Sequence, residues 1–164
     1  MKNLTRMMQT LALATVLLFG FSSYTHAQVE TGENVMVSAS QFGQIQYFRT
    51  LLEETGLDEE LNEEGPFTLL APTDQAFEDI PEAELQALLE DPDALREVIR
   101  AHIIPEALKA GDFGNRDDVT TLQGAEFDVS HHERGISVDG ALMVAADIVA
   151  TNGVIHAIDK VLMP

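Results

Sequence analysis

Three histidine settings hold the residues best suited to chemistry in this chain. His131-His132-Glu133 is the only run with metal-ligand side chains in sequence. Neighbouring residues on a strand point to opposite faces, so the two imidazoles would share an ion only in a loop. We read the run as a turn before Gly135, with no metal assigned. His102 falls on the apolar face of a helical pattern with Leu95, Val98 and Ile99. With no nucleophile or carboxylate near it in sequence, it reads as a buried histidine that ties its helix to a strand carbonyl. His156 alternates with Ile155 and Ala157 and reads as a sheet residue. No serine lies in a Gly-x-Ser-x-Gly elbow, and the acids from Asp58 to Glu64 lack the Asp-x-Asp-x-Asp-Gly order of a calcium loop. No catalytic set or cofactor is read. Asp147-Ile148 remains as a contact candidate, an acid beside an apolar anchor at a strand edge. A carrier of a small ligand or metal ion, using His131-His132 and the acidic surface, is the alternative to a binding module.

The stretch that must position these residues is Phe67 to Phe77. Phe67 to Ala71 is a short apolar run, the pattern of a buried strand. Pro72 cannot donate to a ladder and should end it. Thr73 and Asp74 offer helix N-cap oxygens, and Phe77 anchors the new helix. Upstream, Phe42, Ile45, Phe48 and Leu52 recur at helical steps, with Ser38 or Ser40 as cap and Gly56 as C-terminal stop. Gln28 to Asn34 reads as a polar linker. Leu57 to Leu61 adds a helical turn, and Asn62 to Pro66 is a turn by composition. Pro81 begins a helix with a Leu85, Leu88, Leu89 stripe. Asp93 caps the next helix, which Pro105 ends. From Val119 the period becomes two. Strands are expected at Val119 to Leu122, Ala125 to Ser130, Ile136 to Val138, Ala141 to Val144, Asp147 to Ala150 and Val154 to Leu162. Asn152-Gly153 is a turn pair, with glycine supplying positive φ. Helices followed by a run of short antiparallel strands make an α+β plan, and the Phe67 strand must join that sheet from far away in sequence.

Composition narrows the setting. The chain has 164 residues and no cysteine, with nine Lys and Arg against 28 Asp and Glu, a net charge of −19. Lys2 and Arg6 precede an apolar core from Leu11 to Phe21, and Thr25-His26-Ala27 has small residues where a signal peptidase reads. Residues 1–27 are expected to be a signal peptide, too short in its apolar part to span a bilayer. Those residues hold two of the basic and none of the acidic side chains, so the remainder carries a net −21. Such a field repels nucleic acid and anionic lipid. The remaining 137 residues suit one domain, with enough core to fold without disulfides. A secreted monomer, periplasmic or extracellular, with no membrane insertion after cleavage, is the expectation.

Two stretches carry a resemblance. Phe67-Thr-Leu-Leu-Ala-Pro-Thr-Asp-Gln-Ala-Phe77 resembles the first signature of the fasciclin domain, and Thr151-Asn-Gly-Val-Ile-His-Ala-Ile-Asp159 with Lys160 to Pro164 resembles the second. His102 matches the family's central histidine. The resemblance covers residues 35–164 and is closest to secreted bacterial single-domain members. It implies a wedge-shaped, seven-stranded β-sandwich with several flanking α-helices. It also implies a non-catalytic adhesion role at a cell surface or matrix, toward proteins or polysaccharides. Phe67, Ala71, Pro72, Thr73, Asp74, Phe77, His102, Asn152, Gly153, His156 and Asp159 are the motif positions it marks. Asp147-Ile148 matches the pair that animal members carry before the second signature, where an integrin is read. Ala101 stands where animal members have tyrosine, Ala145 and Ala146 replace the polar flank, and there is no Arg-Gly-Asp.

Overall fold

A computed structural model describes residues 29–164 apart from 31 and 64. The expected signal peptide lies outside the described residues.

The helical half comes first. Strand β1 (Val29–Glu30) is followed by α1 (Val35–Gln41), α2 (Gln46–Thr55) and α3 (Leu57–Glu63). The single helix expected around Phe42 is two. Phe42 takes an extended conformation and ends α1, and Gly43-Gln44 turn the chain into α2. Asn34, not a serine, caps α1 by accepting from the Val37 N–H at 3.0 Å. Ile45, Phe48 and Leu52 still reach the core. Gly56 closes α2 at φ 69°, a left-handed turn that glycine adopts without a Cβ penalty. Leu57 and Leu61 are both fully buried.

Strand β2 (Phe67–Pro72) then runs into α4 (Asp74–Glu78), α5 (Glu82–Glu90) and α6 (Pro92–Ala101). Thr73 caps α4, accepting from the Ala76 N–H at 3.3 Å. Asp74 does something the local pattern hides. Its carboxylate accepts from the Tyr47 N–H at 2.8 Å, so it caps α2 across the fold. Phe77 is 5% exposed and meets Tyr47 edge-on at 4.7 Å. The expected stripe of α5 is only half-buried, and Leu89 is exposed. Asp91 rather than Asp93 caps α6, accepting from the Asp93 and Ala94 N–H groups at 3.1 Å each. Pro92 fits the first turn, where its missing N–H costs nothing.

The remaining elements are β3 (Ile103–Ile104), α7 (Ala110–Phe113), β4 (Asp118–Thr120), β5 (Glu126–His132), β6 (Gly135–Val138), β7 (Ala141–Ala150) and β8 (Gly153–Ile158). The order across the sheet is β3-β2-β8-β7-β6-β5-β4. The ends of this path meet: the Leu122 N–H donates to the Ile103 carbonyl at 2.6 Å. The seven strands therefore wrap almost into a barrel beside the helices, the α+β architecture expected. Pairing is antiparallel from β4 to β8, but β2 joins β8 in parallel. The two strands expected at Ala141 and Asp147 are one strand, bulged between Met143 and Ile148. The linker expectation at Gln28 to Asn34 is corrected in part: β1 pairs in parallel with Ile148 and Val149. That edge is open because β6 pairs with β7 only at Ala141 and Leu142.

All six residues of both β2 and β8 are buried. Alternation sends Leu69, Ala71, Ile155 and Ala157 to a core shared with the helices, and Leu70 and Ile158 to the barrel interior with Phe113 and Phe127. A strand covered on both faces reads as a continuous apolar run.

Gly153 sits at the start of this ladder, opposite Phe67. Its φ is not positive, so the turn-chemistry reading is corrected. The need is space: a Cβ there would lie 2.1 Å from the Phe67 carbonyl oxygen. Backbone cannot yield as a side-chain tip can. Gly153→Ala should therefore destabilise the fold by about 3 kcal/mol or more, in the range of strained overpacking. Urea unfolding measures it, and a loss under about 1 kcal/mol would show that the strands can separate without penalty.

Candidate functional site

The motif residues converge where the β2–β8 ladder meets the connection after β3. His102 is fully buried at the end of α6. Its Nε2 accepts from the Leu162 N–H at 2.9 Å. Nδ1 must then carry the proton, and it donates to the Val98 carbonyl at 2.7 Å. The ring lies 5.4 Å from Phe48. The expected tie between helix and strand is thus a tie between helix and the C-terminal segment. His156 is also fully buried, in β8. It takes the opposite tautomer: Nε2–H donates to the Leu108 carbonyl at 2.7 Å, and Nδ1 accepts from the Asp147 N–H at 3.2 Å.

Around them, irregular backbone is held by side chains. Thr68 Oγ1 donates to the Glu106 carbonyl at 2.6 Å and accepts from the Leu108 N–H at 2.7 Å. Asp147 Oδ1 accepts from the Ala110 N–H at 2.7 Å at the start of α7. Asp147 stands in the β7 bulge at φ 60°, a left-handed conformation that aspartate tolerates better than most residues. Asn152 accepts from the Val35 N–H at 2.8 Å and donates to the Leu61 carbonyl at 2.6 Å, joining α1 and α3 to the β7–β8 turn. Asp159 accepts from the Leu142 N–H at 2.7 Å. These atoms satisfy buried backbone that would otherwise cost about 1–3 kcal/mol per unpaired group.

The contact candidate Asp147-Ile148 is not laid out as an exposed pair. Ile148 is 6% exposed and belongs to the core shared with the helices, and the Asp147 carboxylate is engaged by α7. His131 and His132 lie in β5, not in the turn, and both are exposed. Strand alternation directs them to opposite faces, and His132 Nε2 lies 3.1 Å from Ser137 Oγ. Among the described residues no group of three His, Asp or Glu side chains is placed to hold a metal. Thr68 was missed in the sequence. It occupies a strand position where any small β-former reads alike, and its partner is a loop carbonyl far along the chain.

Burial lowers the His102 pKa to about 4, against the smaller opposing pull of the Val98 carbonyl. Burial also lowers that of His156, opposed by the Leu108 carbonyl and the Asp147 charge. A histidine in the unfolded chain titrates near 6.5, so the unfolded state takes the proton first as pH falls. The stability these groups give is full above about pH 6.5 and is lost as pH falls toward 4. Between pH 7 and 5 the His102 contribution alone should fall by about 2 kcal/mol. Urea unfolding at the two pH values measures it. Constant or rising stability toward pH 5 would contradict neutral, buried imidazoles.

Comparisons with known proteins agree with this geometry. A family model described as Fasciclin domain matches residues 43–164. Protein sll1483 of Synechocystis is 31% identical over 180 aligned positions, spanning 100% of this chain and 99% of that protein. Transforming growth factor-beta-induced protein ig-h3 of rabbit (Oryctolagus cuniculus) is 39% identical over 108 residues, 66% of this chain. The chain spans only 16% of that protein's length. A solved FAS1 domain pair from the insect cell adhesion molecule Fasciclin I superposes with a TM-score of 0.60 at 23% identity, covering 76% of this chain and 47% of the other, a likeness of fold.

Proposed function

The chain belongs to the fasciclin domain family, and from that premise we propose that it is a secreted, non-catalytic interaction module, binding proteins or polysaccharides at a cell surface or matrix. The observation that carries the non-catalytic part is the state of the two buried imidazoles. Each uses both ring nitrogens on backbone groups. Neither has a free nitrogen to act as base, nucleophile or ligand. Asp74, Asp147, Asn152 and Asp159 are similarly committed to backbone N–H groups. Chemistry needs a poised group within reach of substrate, and the motif residues spend their polar atoms on the fold.

Binding is then a matter of the outer surface. The charged n-region and apolar core of residues 1–27 support an extracytoplasmic setting. No helix among the described residues is long and apolar enough to cross a membrane.

Two experiments test this reading. Mass spectrometry of the exported protein should give an N-terminus at Gln28, and an intact N-terminal stretch would overturn the export assignment. Labelled intact protein should bind saturably to surfaces of cells, extracted matrix or matrix polysaccharide, and excess unlabelled protein should displace it. Absence of displaceable binding on all of these surfaces would contradict an adhesion role.

A further inference from the structure

The turn between β7 and β8 carries a reactive pair. Of the asparagines in the chain, Asn152 alone is followed by glycine. Glycine has no side chain to shield its amide nitrogen, and its backbone turns freely. In a mobile chain the Gly153 nitrogen can therefore attack Asn152 Cγ. A new C–N bond forms, the bond to Nδ2 breaks, and the proton lost by the Gly153 amide leaves with Nδ2 as ammonia. Water then opens the cyclic imide at either carbonyl, giving aspartate or isoaspartate.

Ring closure needs freedom at the Asn152 side chain and at the peptide after it. The fold fixes both. Asn152 Oδ1 accepts from the Val35 N–H at 2.8 Å, and Nδ2 donates to the Leu61 carbonyl at 2.6 Å. The Asn152 carbonyl accepts from the Phe67 N–H at 3.0 Å, and the Thr151 N–H donates to the Glu33 carbonyl at 2.8 Å. Gly153 pairs with Ala150 on one side and Phe67 on the other. Gly65 closes over the turn, where an added Cβ would lie 3.1 Å from Asn152 Cβ.

Neither product fits the place the asparagine fills. In aspartate an oxygen replaces the donor that faced the Leu61 carbonyl at 2.6 Å, so two acceptors meet with no proton between them. In isoaspartate the main chain runs through Cβ and Cγ, one atom longer ahead of Gly153. Gly153 would then shift in a ladder where an added Cβ already meets the Phe67 carbonyl oxygen at 2.1 Å.

We propose that Asn152-Gly153 is a deamidation site gated by the fold. It is silent while the β2–β8 ladder is closed and converts when the turn opens. The converted chain closes the ladder only weakly, so opening of this joint becomes irreversible. The inference is independent of what the outer surface binds.

Peptide mapping by mass spectrometry tests it on the intact protein in mildly alkaline buffer, folded in one sample and unfolded by urea in another. Asn152 should convert at least about a hundredfold faster in the unfolded chain, because the folded chain reacts only through opening of its most protected strands. In urea, Asn62 and Asn115, followed by glutamate and arginine, should lag behind Asn152. After urea is removed, the converted fraction should unfold at a lower urea concentration than the unconverted one. Asn152→Asp should show the same loss, and Asn115→Asp, the same change at an exposed position, should unfold like the wild type. A folded-state rate within about tenfold of the unfolded one would overturn the gate. Wild-type resistance to urea in Asn152→Asp or in the converted fraction would overturn the irreversibility. Faster conversion at Asn62 or Asn115 in urea would overturn the choice of site. An Asn152→Asp chain that fails to fold agrees with the proposal, and the rate comparison on the wild type still decides the gate.

Discussion

The parallel pairing of β2 with β8 is the constraint on which the rest depends. Phe67 to Pro72 and Gly153 to Ile158 pair residue for residue, although nearly the whole sheet is made between them. Parallel strands need a long crossover, and here α4, α5, α6 and most of the barrel form it. Both strands are buried on both faces, so one ladder closes two cores. The helices pack on one side, and the barrel fills on the other. At the start of the ladder a Cβ on Gly153 would strike the Phe67 carbonyl, so only glycine fits there.

Such a crossover leaves irregular backbone buried, and its polar groups must be satisfied. That explains the polar residues in motifs that otherwise read as core. His102, His156, Thr68, Asp147 and Asn152 each reach a carbonyl or N–H that no ladder supplies. A neutral imidazole is well suited to this task, because it donates at one nitrogen and accepts at the other. The two histidines use opposite tautomers for the same purpose. Their burial makes them sensitive to acid, which is a property of stability and not a sign of catalysis.

What could be read in the sequence was local or periodic. The β2 strand, its proline end, the Thr73 cap, the Gly56 stop and the buried face of α6 follow from pattern alone. So did the bonding of His102 to backbone, though its partner proved to be Leu162 and not a strand. Features set by distant contacts were hidden. Asp74 caps a helix it does not belong to, and Gly153 is chosen by a carbonyl from the first signature. Val29–Glu30 is a strand only because β6 leaves the edge of β7 open. The weak burial of α5 was hidden too, since a leucine stripe does not say how much surface waits to receive it. Asp147-Ile148 was singled out by its match to the pair in animal members, and strand alternation is silent about the bulge that sets Asp147 at positive φ and buries Ile148.

The account makes the two signatures an interior frame and leaves recognition to the rim. Native-state hydrogen exchange tests that division most directly. Amides of Leu69, Leu70, Ile155 and His156 should exchange only through global unfolding, with an opening free energy equal to that from urea denaturation, while those of Glu133 and Arg134 exchange by local fluctuation. Signature amides that open well below the global free energy, in a unit separate from the helical core, would contradict the claim that this ladder holds the fold together.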